Sequence, residues 1–200
     1  MTMAKTLLEM AGADMTPNAV SESVLILIDC QNEYVTGALP LTGIDAAMEN
    51  AKALLQRFRD AGQPVVHIQH QGKAGGAFDL DDVRGAIDDR VAPMAGEPVI
   101  RKGLPNSFAG TDLQKTLEGI GRQKLVIAGF QTHMCVSATT RAALDLGYRN
   151  TLVSDAITTR DLPGPGGDGV VPAETIHIAT LAALADRFAI VAATAADLPD

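Results

Sequence analysis

Val24-Leu25-Ile26-Leu27-Ile28-Asp29 is the stretch whose reading decides the fold. Its apolar run is too short for a helix, is rich in β-branched residues and does not alternate with polar ones. A strand covered on both faces reads this way. Working outward, Ile44, Ala47, Met48, Ala51, Leu54, Leu55 and Phe58 recur at spacings of three and four, which predicts an amphipathic helix. Gly62 is placed to end it and Pro64 follows. Val65 to Ile68 and Pro98 to Ile100 read as the next strands. Thr111 begins a helix with Gln114 at capping-box spacing. Lys124 to Ala128 is a strand, Ser137 to Leu146 a helix stopped at Gly147, and Thr151 to Val153 a fifth strand. Pro172 to Asp186 is helical and Phe188 to Val191 closes as a sixth strand. Strands alternating with helices predict an α/β chain: a three-layer αβα Rossmann-like fold with a six-stranded, mostly parallel sheet. The alternation resumes after the Gly-rich stretches 72–76 and 163–169, so they read as surface loops. Residues 1–200 are expected to form one domain, with 1–21 an N-terminal extension or helix.

Composition narrows the function. The 200 residues are 46% apolar and 20% charged, which is globular rather than disordered. A formal charge of −8 repels phosphate backbones and anionic membrane surfaces. With no Trp, two Tyr and five Phe, stacking platforms for single-stranded nucleic acid are not expected. Two cysteines, Cys30 and Cys135, cannot build a disulfide scaffold, and no CxxC pair offers a zinc site. The N-terminus lacks a sustained apolar core, so it does not read as a signal peptide. A cytoplasmic protein without nucleic-acid or membrane partners is the expectation.

In open parallel sheets the working residues gather at the carboxyl ends of the strands. Those ends offer Asp29, then Gln69 and His70, then Lys102, then Gly129 to Cys135, then Asp155. A carboxylate, an amine and a thiol arriving from separate strands make a candidate nucleophile site. Asp29 also reads as a cap or turn former, and composition does not distinguish Lys102, at a position where lysines are usually solvated, from Arg101 beside it. Cys135 follows a strand and opens a helix, where aligned N–H groups favour a thiolate. By composition alone it also reads as a small buried side chain. Cys30, next to Asp29 in an extended segment, points to the other face and reads as packing. His67 and His70 have few candidate ligands nearby and read as packed or loop histidines, so no metal is expected. His177, on a helix, reads as structural. The PGPGGDG loop lacks the spacing of a phosphate cradle.

Taken together, three segments resemble the isochorismatase-like cysteine hydrolases. Leu25-Ile26-Leu27-Ile28-Asp29-Cys30-Gln31-Asn32-Glu33-Tyr34 is similar to that family's hhhhDxQNDF opening, and Lys102 to Leu113 resembles its KxxxSAFxGTxL stretch. Val126 to Val136 resembles its hhhxGxxTxxCV nucleophile loop. The resemblance spans residues 22–195. It implies an Asp–Lys–Cys triad at Asp29, Lys102 and Cys135. It also implies a cis peptide at Phe130–Gln131 and an oxyanion hole from the backbone N–H groups of Gln131 and Cys135. Gln31, Tyr34, Phe108 and Phe130 become expected substrate contacts. Departures at Glu33-Tyr34 and Asn106-Ser107 bear on substrate identity more than on chemistry. The Asp-x-His metal motif of the family's nicotinamidases is replaced by Gln69-His70-Gln71, so no metal or other cofactor is implied.

The chemistry so implied is hydrolysis of a C–N bond in a small amide or ureide through a thioester, with the chain a homo-oligomer, dimer or tetramer. The alternatives are a vinyl-ether or ester hydrolase on the same scaffold, a non-catalytic small-molecule binding protein, and a thiol-redox protein. The last would need a resolving cysteine, for which Cys30 is poorly placed.

Overall fold

The computed structural model describes residues 4–200. The first strand, β1, spans Ser23–Ile28 and is buried along its whole length. After it come helix α2 (Ile44–Asp60), β2 (Val65–His70), β3 (Val99–Lys102), α3 (Leu113–Ile120) and β4 (Lys124–Phe130). The chain continues with α4 (Ser137–Asp145), β5 (Arg149–Thr158), α5 (Ala173–Arg187) and β8 (Ile190–Ala192). A short helix α1 (Leu7–Met10) precedes them, and β6 (Leu162–Pro163) with β7 (Val170–Val171) forms a small antiparallel hairpin.

The six-stranded sheet has the order β3-β2-β1-β4-β5-β8, and every neighbouring pair is parallel. The chain lays β1, β2 and β3 out to one edge, then returns to place β4 on the other side of β1. The carboxyl ends of β1 and β4 therefore flank the switch point, where open α/β sheets bind ligands.

Alternation along β1 sorts the core into two layers. Leu25 and Leu27 pack with Met48, Ala51, Leu54, Leu55 and Phe58 of α2. Val24, Ile26 and Ile28 face Leu113 and Leu117 of α3, Ala143 of α4, and Leu181 and Leu184 of α5. Each large side chain buried in this way contributes about 1.5–3 kcal/mol before the entropy of ordering it is subtracted.

All six expected strands form. β5 is longer than its apolar run and reaches the site with its carboxyl end. The capping box expected at Thr111 does not form. Helix α3 starts at Leu113, and Thr111 instead donates to the Ser107 carbonyl while accepting from the Leu113 N–H. Gln114 turns outward to Glu118. Of the 1–21 extension, residues 1–3 lie outside the described residues. Thr6 caps α1 with a reciprocal bond to Glu9. Asn18 closes the amino ends of the strands, its amide donating to the carbonyls of Leu125 (3.0 Å) and Arg149 (2.9 Å).

One glycine is fixed by close approach. Gly129 in β4 has φ +115, and a Cβ there would lie 2.1 Å from the Ile28 carbonyl oxygen. Only glycine lets β4 run this close to β1 just before both strands deliver their functional residues.

Candidate active site

Asp29 follows β1 with φ 53, a left-handed conformation uncommon for a residue other than glycine. Its N–H still donates to the Ile68 carbonyl at 3.0 Å, so the backbone turns over while tied to β2. The extended conformation expected here is thus replaced by a turn. Strict alternation would put Cys30 on the face of Ile28; the turn sends it to the α2 face, packed with Leu25 and Leu27. Burial, with the charge of Asp29 second, pushes the Cys30 thiol far up. The expected packing role fits this placement.

Lys102 ends β3, two strands away from β1. Its side chain crosses the end of β2 and is almost wholly buried, at 2% exposure. Its Nζ lies 2.7 Å from Asp29 Oδ2, 3.2 Å from Cys135 Sγ and 3.1 Å from His70 Nδ1. An ammonium has three hydrogens and no acceptor, so three close neighbours account for all of them. The fully buried Asp29 carboxylate is held by this 2.7 Å ion pair.

Cys135 sits in a wide turn, Thr132–Val136, before α4 begins at Ser137. The Gln131 carbonyl accepts from both Met134 (3.1 Å) and Val136 (3.2 Å), and the latter i+5 bond makes this a π turn. The Phe130–Gln131 peptide is cis, as the resemblance implies. Asp29, His70 and Cys135 bring donor atoms within 4.8 Å of one another. The Lys102 ammonium already contacts all three groups, so a metal ion binding them would have to displace a cation.

The electrostatics follow from burial. Desolvation raises the Asp29 carboxyl above its ordinary range, opposed by the charge and hydrogen bonding of Lys102 and then by the Cys135 thiol. Burial, helped by the negative charge of Asp29, pushes the Cys135 thiol up to about 12 against the pull of Lys102. A resting thiolate favoured by a helix N-terminus is the sequence expectation. Burial works against that thiolate and Lys102 works for it.

The expected substrate contacts divide. Tyr34 is buried, 3.5 Å from the Gln131 amide nitrogen through its hydroxyl, and meets Phe130 edge to face at 6.0 Å. Phe130 is fully buried behind it. Phe108 stacks on Tyr148 with ring centroids 6.0 Å apart. Gln31 is fully buried: its Oε1 accepts from the His70 N–H, and its Nε2 donates to the carbonyls of His70 and Gly85. Glu33 and Ser107, at the departures from the family pattern, are also sealed. Glu33 accepts from the N–H groups of Ala38 and Phe78, and Ser107 pairs with Thr139. His177, expected to be structural, reaches Thr132 Oγ1 at 2.9 Å and so braces the nucleophile turn. His67 pairs with Glu97 at 2.9 Å, away from the three strand ends that form this centre. Sequence reasoning missed His70 as a member of the cluster. Its signal was its place at the end of β2, between the strands carrying Asp29 and Lys102.

Comparison with known proteins agrees with this arrangement. Residues 23–196 match the isochorismatase domain family. The fold resembles the crystal structure of an isochorismatase from Pseudomonas putida with a TM-score of 0.93 at 43% identity, covering 98% of this chain and 100% of that one. A secreted isochorismatase effector of Verticillium dahliae is 37% identical over 180 residues, 90% of this chain and 92% of the relative. A streptothricin hydrolase of Streptomyces noursei is 37% identical over 174 residues, 86% of this chain and 63% of that protein. A maleamate amidohydrolase of Pseudomonas putida is 34% identical over 153 residues, 68% of this chain and 72% of that protein. The chain belongs to the isochorismatase-like hydrolase family, and it is a hydrolase. Among the described residues, no helix is long and apolar enough to cross a membrane.

Proposed function

We propose that this hydrolase cleaves a C–N bond of a small amide or ureide through a thioester on Cys135. The observation that carries the reading is the Lys102 ammonium, buried and within 3.2 Å of both the Asp29 carboxylate and the Cys135 thiol. Amidohydrolase relatives support the same reading. Asp29 takes the proton from Sγ, and the sulfur electrons form a C–S bond to the substrate carbonyl carbon. The backbone N–H groups of Gln131 and Cys135 receive the oxyanion, a contribution of about 3 kcal/mol per donor. The C–N bond then breaks and the departing amine takes the proton from Asp29. Water attacks the thioester, giving its proton to Asp29. The acid leaves, and the proton returns to sulfur. The Lys102 side chain, 2.7 Å from Asp29 and 3.2 Å from Cys135, faces the charge that moves between them. Tyr34 is the aromatic group we assign to the substrate side; Gln31, Phe108 and Phe130 act by holding the walls.

Ammonia release from a panel of nicotinamide, maleamate, N-carbamoyl amino acids, biuret and a ureidoacrylate-like compound tests the reaction class. Release from at least one is expected. Turnover of vinyl ethers or esters alone would replace this reading with the alternative chemistry. The pH profile is a second test. Asp29 must be ionised to accept the proton, and burial raises its pKa. Activity is therefore expected to rise with pH through a midpoint above the ordinary aspartate value. An acid limb at or below that value would contradict the assignment of Asp29 as base.

The same proposal places the protein in the cytoplasm as a homo-oligomer acting on a small molecule. Light scattering at micromolar concentration should give a multiple of the chain mass, and a monomer would remove that part of the proposal.

A further inference from the structure

His70 is the side chain in this cluster to which neither the resemblance nor the sequence reading gives a task. We infer that His70 is a positioning residue: its Nδ1 takes the third hydrogen of the Lys102 ammonium and fixes that ammonium between Asp29 and Cys135. The inference rests on the proposed Asp29–Lys102–Cys135 chemistry and adds to it a fourth member.

Topology makes the contact necessary. Lys102 belongs to β3 and Asp29 follows β1, so β2 lies between them. Adjacent strands are about 4.8 Å apart, and the lysine must span roughly twice that distance over the end of β2. His70 is the β2 residue in register with Lys102. Whatever stands there sets the path of the lysine.

Three features hold His70 for this task. Its backbone is clamped on both sides by the Gln31 amide, which accepts from its N–H at 2.8 Å and donates to its carbonyl at 2.9 Å. Its ring meets Phe78 edge to face at 5.0 Å. Lysine can only donate, so the 3.1 Å contact requires an unprotonated Nδ1, with the ring hydrogen on Nε2. Burial first, and then the Lys102 charge, lower the imidazole to about 4, so the ring is a neutral acceptor across the physiological range. Without that acceptor, the ammonium would keep a buried hydrogen without a partner and gain freedom to move away from Sγ.

The titratable groups around this centre are Asp29 and Cys30 after β1, Tyr34 in the turn beyond, Lys102 on β3, and Cys135 after β4. Of these, Lys102 is the one that draws the thiol toward ionisation. Alkylation of Cys135 by iodoacetamide at pH 8.5, followed on its peptide by mass spectrometry, therefore reports the placement of the ammonium and needs no substrate. His70→Leu removes the acceptor. His70→Asn keeps one, since its side-chain oxygen can take the place of Nδ1. We expect alkylation about tenfold slower in His70→Leu, a one-unit rise in thiol pKa, and within about twofold of wild type in His70→Asn. Thermal melts identify any variant that fails to fold. On a substrate from the panel, kcat should fall about 10–100-fold in His70→Leu with KM nearly unchanged, and recover in His70→Asn.

Wild-type alkylation in a folded His70→Leu, or an Asn variant as slow as Leu, would overturn the inference and leave His70 as packing for Phe78. Failure of the underlying reading would appear elsewhere: wild type and Cys135→Ala would be equally silent, or equally active, on every amide and ureide. The alkylation series would still decide the role of His70.

Discussion

Cys135→Ala is expected to lower kcat on any amide substrate by about 10³–10⁴-fold or more while leaving the fold intact. In the proposed reaction Sγ forms the C–S bond that precedes C–N cleavage, and no second thiol can take its place. Cys30, the other cysteine, is packed on the α2 face. The substitution removes one sulfur from a turn whose backbone is held by the Gln131 carbonyl and by His177 on Thr132, so the melting temperature should change little. The loss should fall on kcat, because Asp29, Lys102 and the backbone N–H groups that surround the substrate all remain. A variant that kept a tenth of wild-type kcat would mean that Cys135 is a small buried side chain and that water attacks directly.

Lys102→Met should damage both activity and stability. The methionine fills much of the same space but leaves the Asp29 carboxylate fully buried with no counter-charge. Breaking a buried ion pair from one side costs about 3–5 kcal/mol. The carboxyl can escape that cost only by holding a proton, which removes the base; a kcat loss of about 10³-fold is expected. The pH dependence has a definite sign. Burial already raises the folded-state pKa of Asp29, and losing Lys102 raises it further. A group raised on folding favours the fold at low pH and withdraws that support as pH climbs through its folded value. The melting-temperature deficit of Lys102→Met should therefore be large at pH 8 and shrink as pH falls toward 5. A deficit that stayed constant or grew on acidification would mean that Asp29 is not the group left uncompensated.

Much of this was legible in the sequence because strands announce their ends. The apolar run Val24–Ile28 stops at Asp29, and β3 and β4 stop near Lys102 and Cys135, but strand ends alone did not choose Lys102 over Arg101; the triad came from the resemblance of three segments to a known family. His70 could not be drawn in, because its role depends on β2 lying between β3 and β1. That order is set by the pairing of β2 with both β1 and β3, not by anything local to residue 70. The partners of Gln31 were hidden for a related reason: they are the backbone groups of His70 and Gly85, which are distant in sequence. The left-handed turn at Asp29 carried a weak signal, since aspartate tolerates that conformation and forms turns without requiring either. The capping box at Thr111 failed because α3 starts two residues later, at Leu113, and Gln114 pairs with Glu118 instead of reaching back.

A covalent bond between substrate and Cys135 can be trapped. Wild-type enzyme would be mixed with a turned-over amide, quenched in acid within one turnover and digested. The acyl mass of the substrate is expected on the peptide that contains Cys135, absent from Cys135→Ala and released as free acid on longer incubation. Full turnover with an unmodified Cys135 peptide at every quench time, using a substrate chosen so that acylation outpaces deacylation, would contradict it.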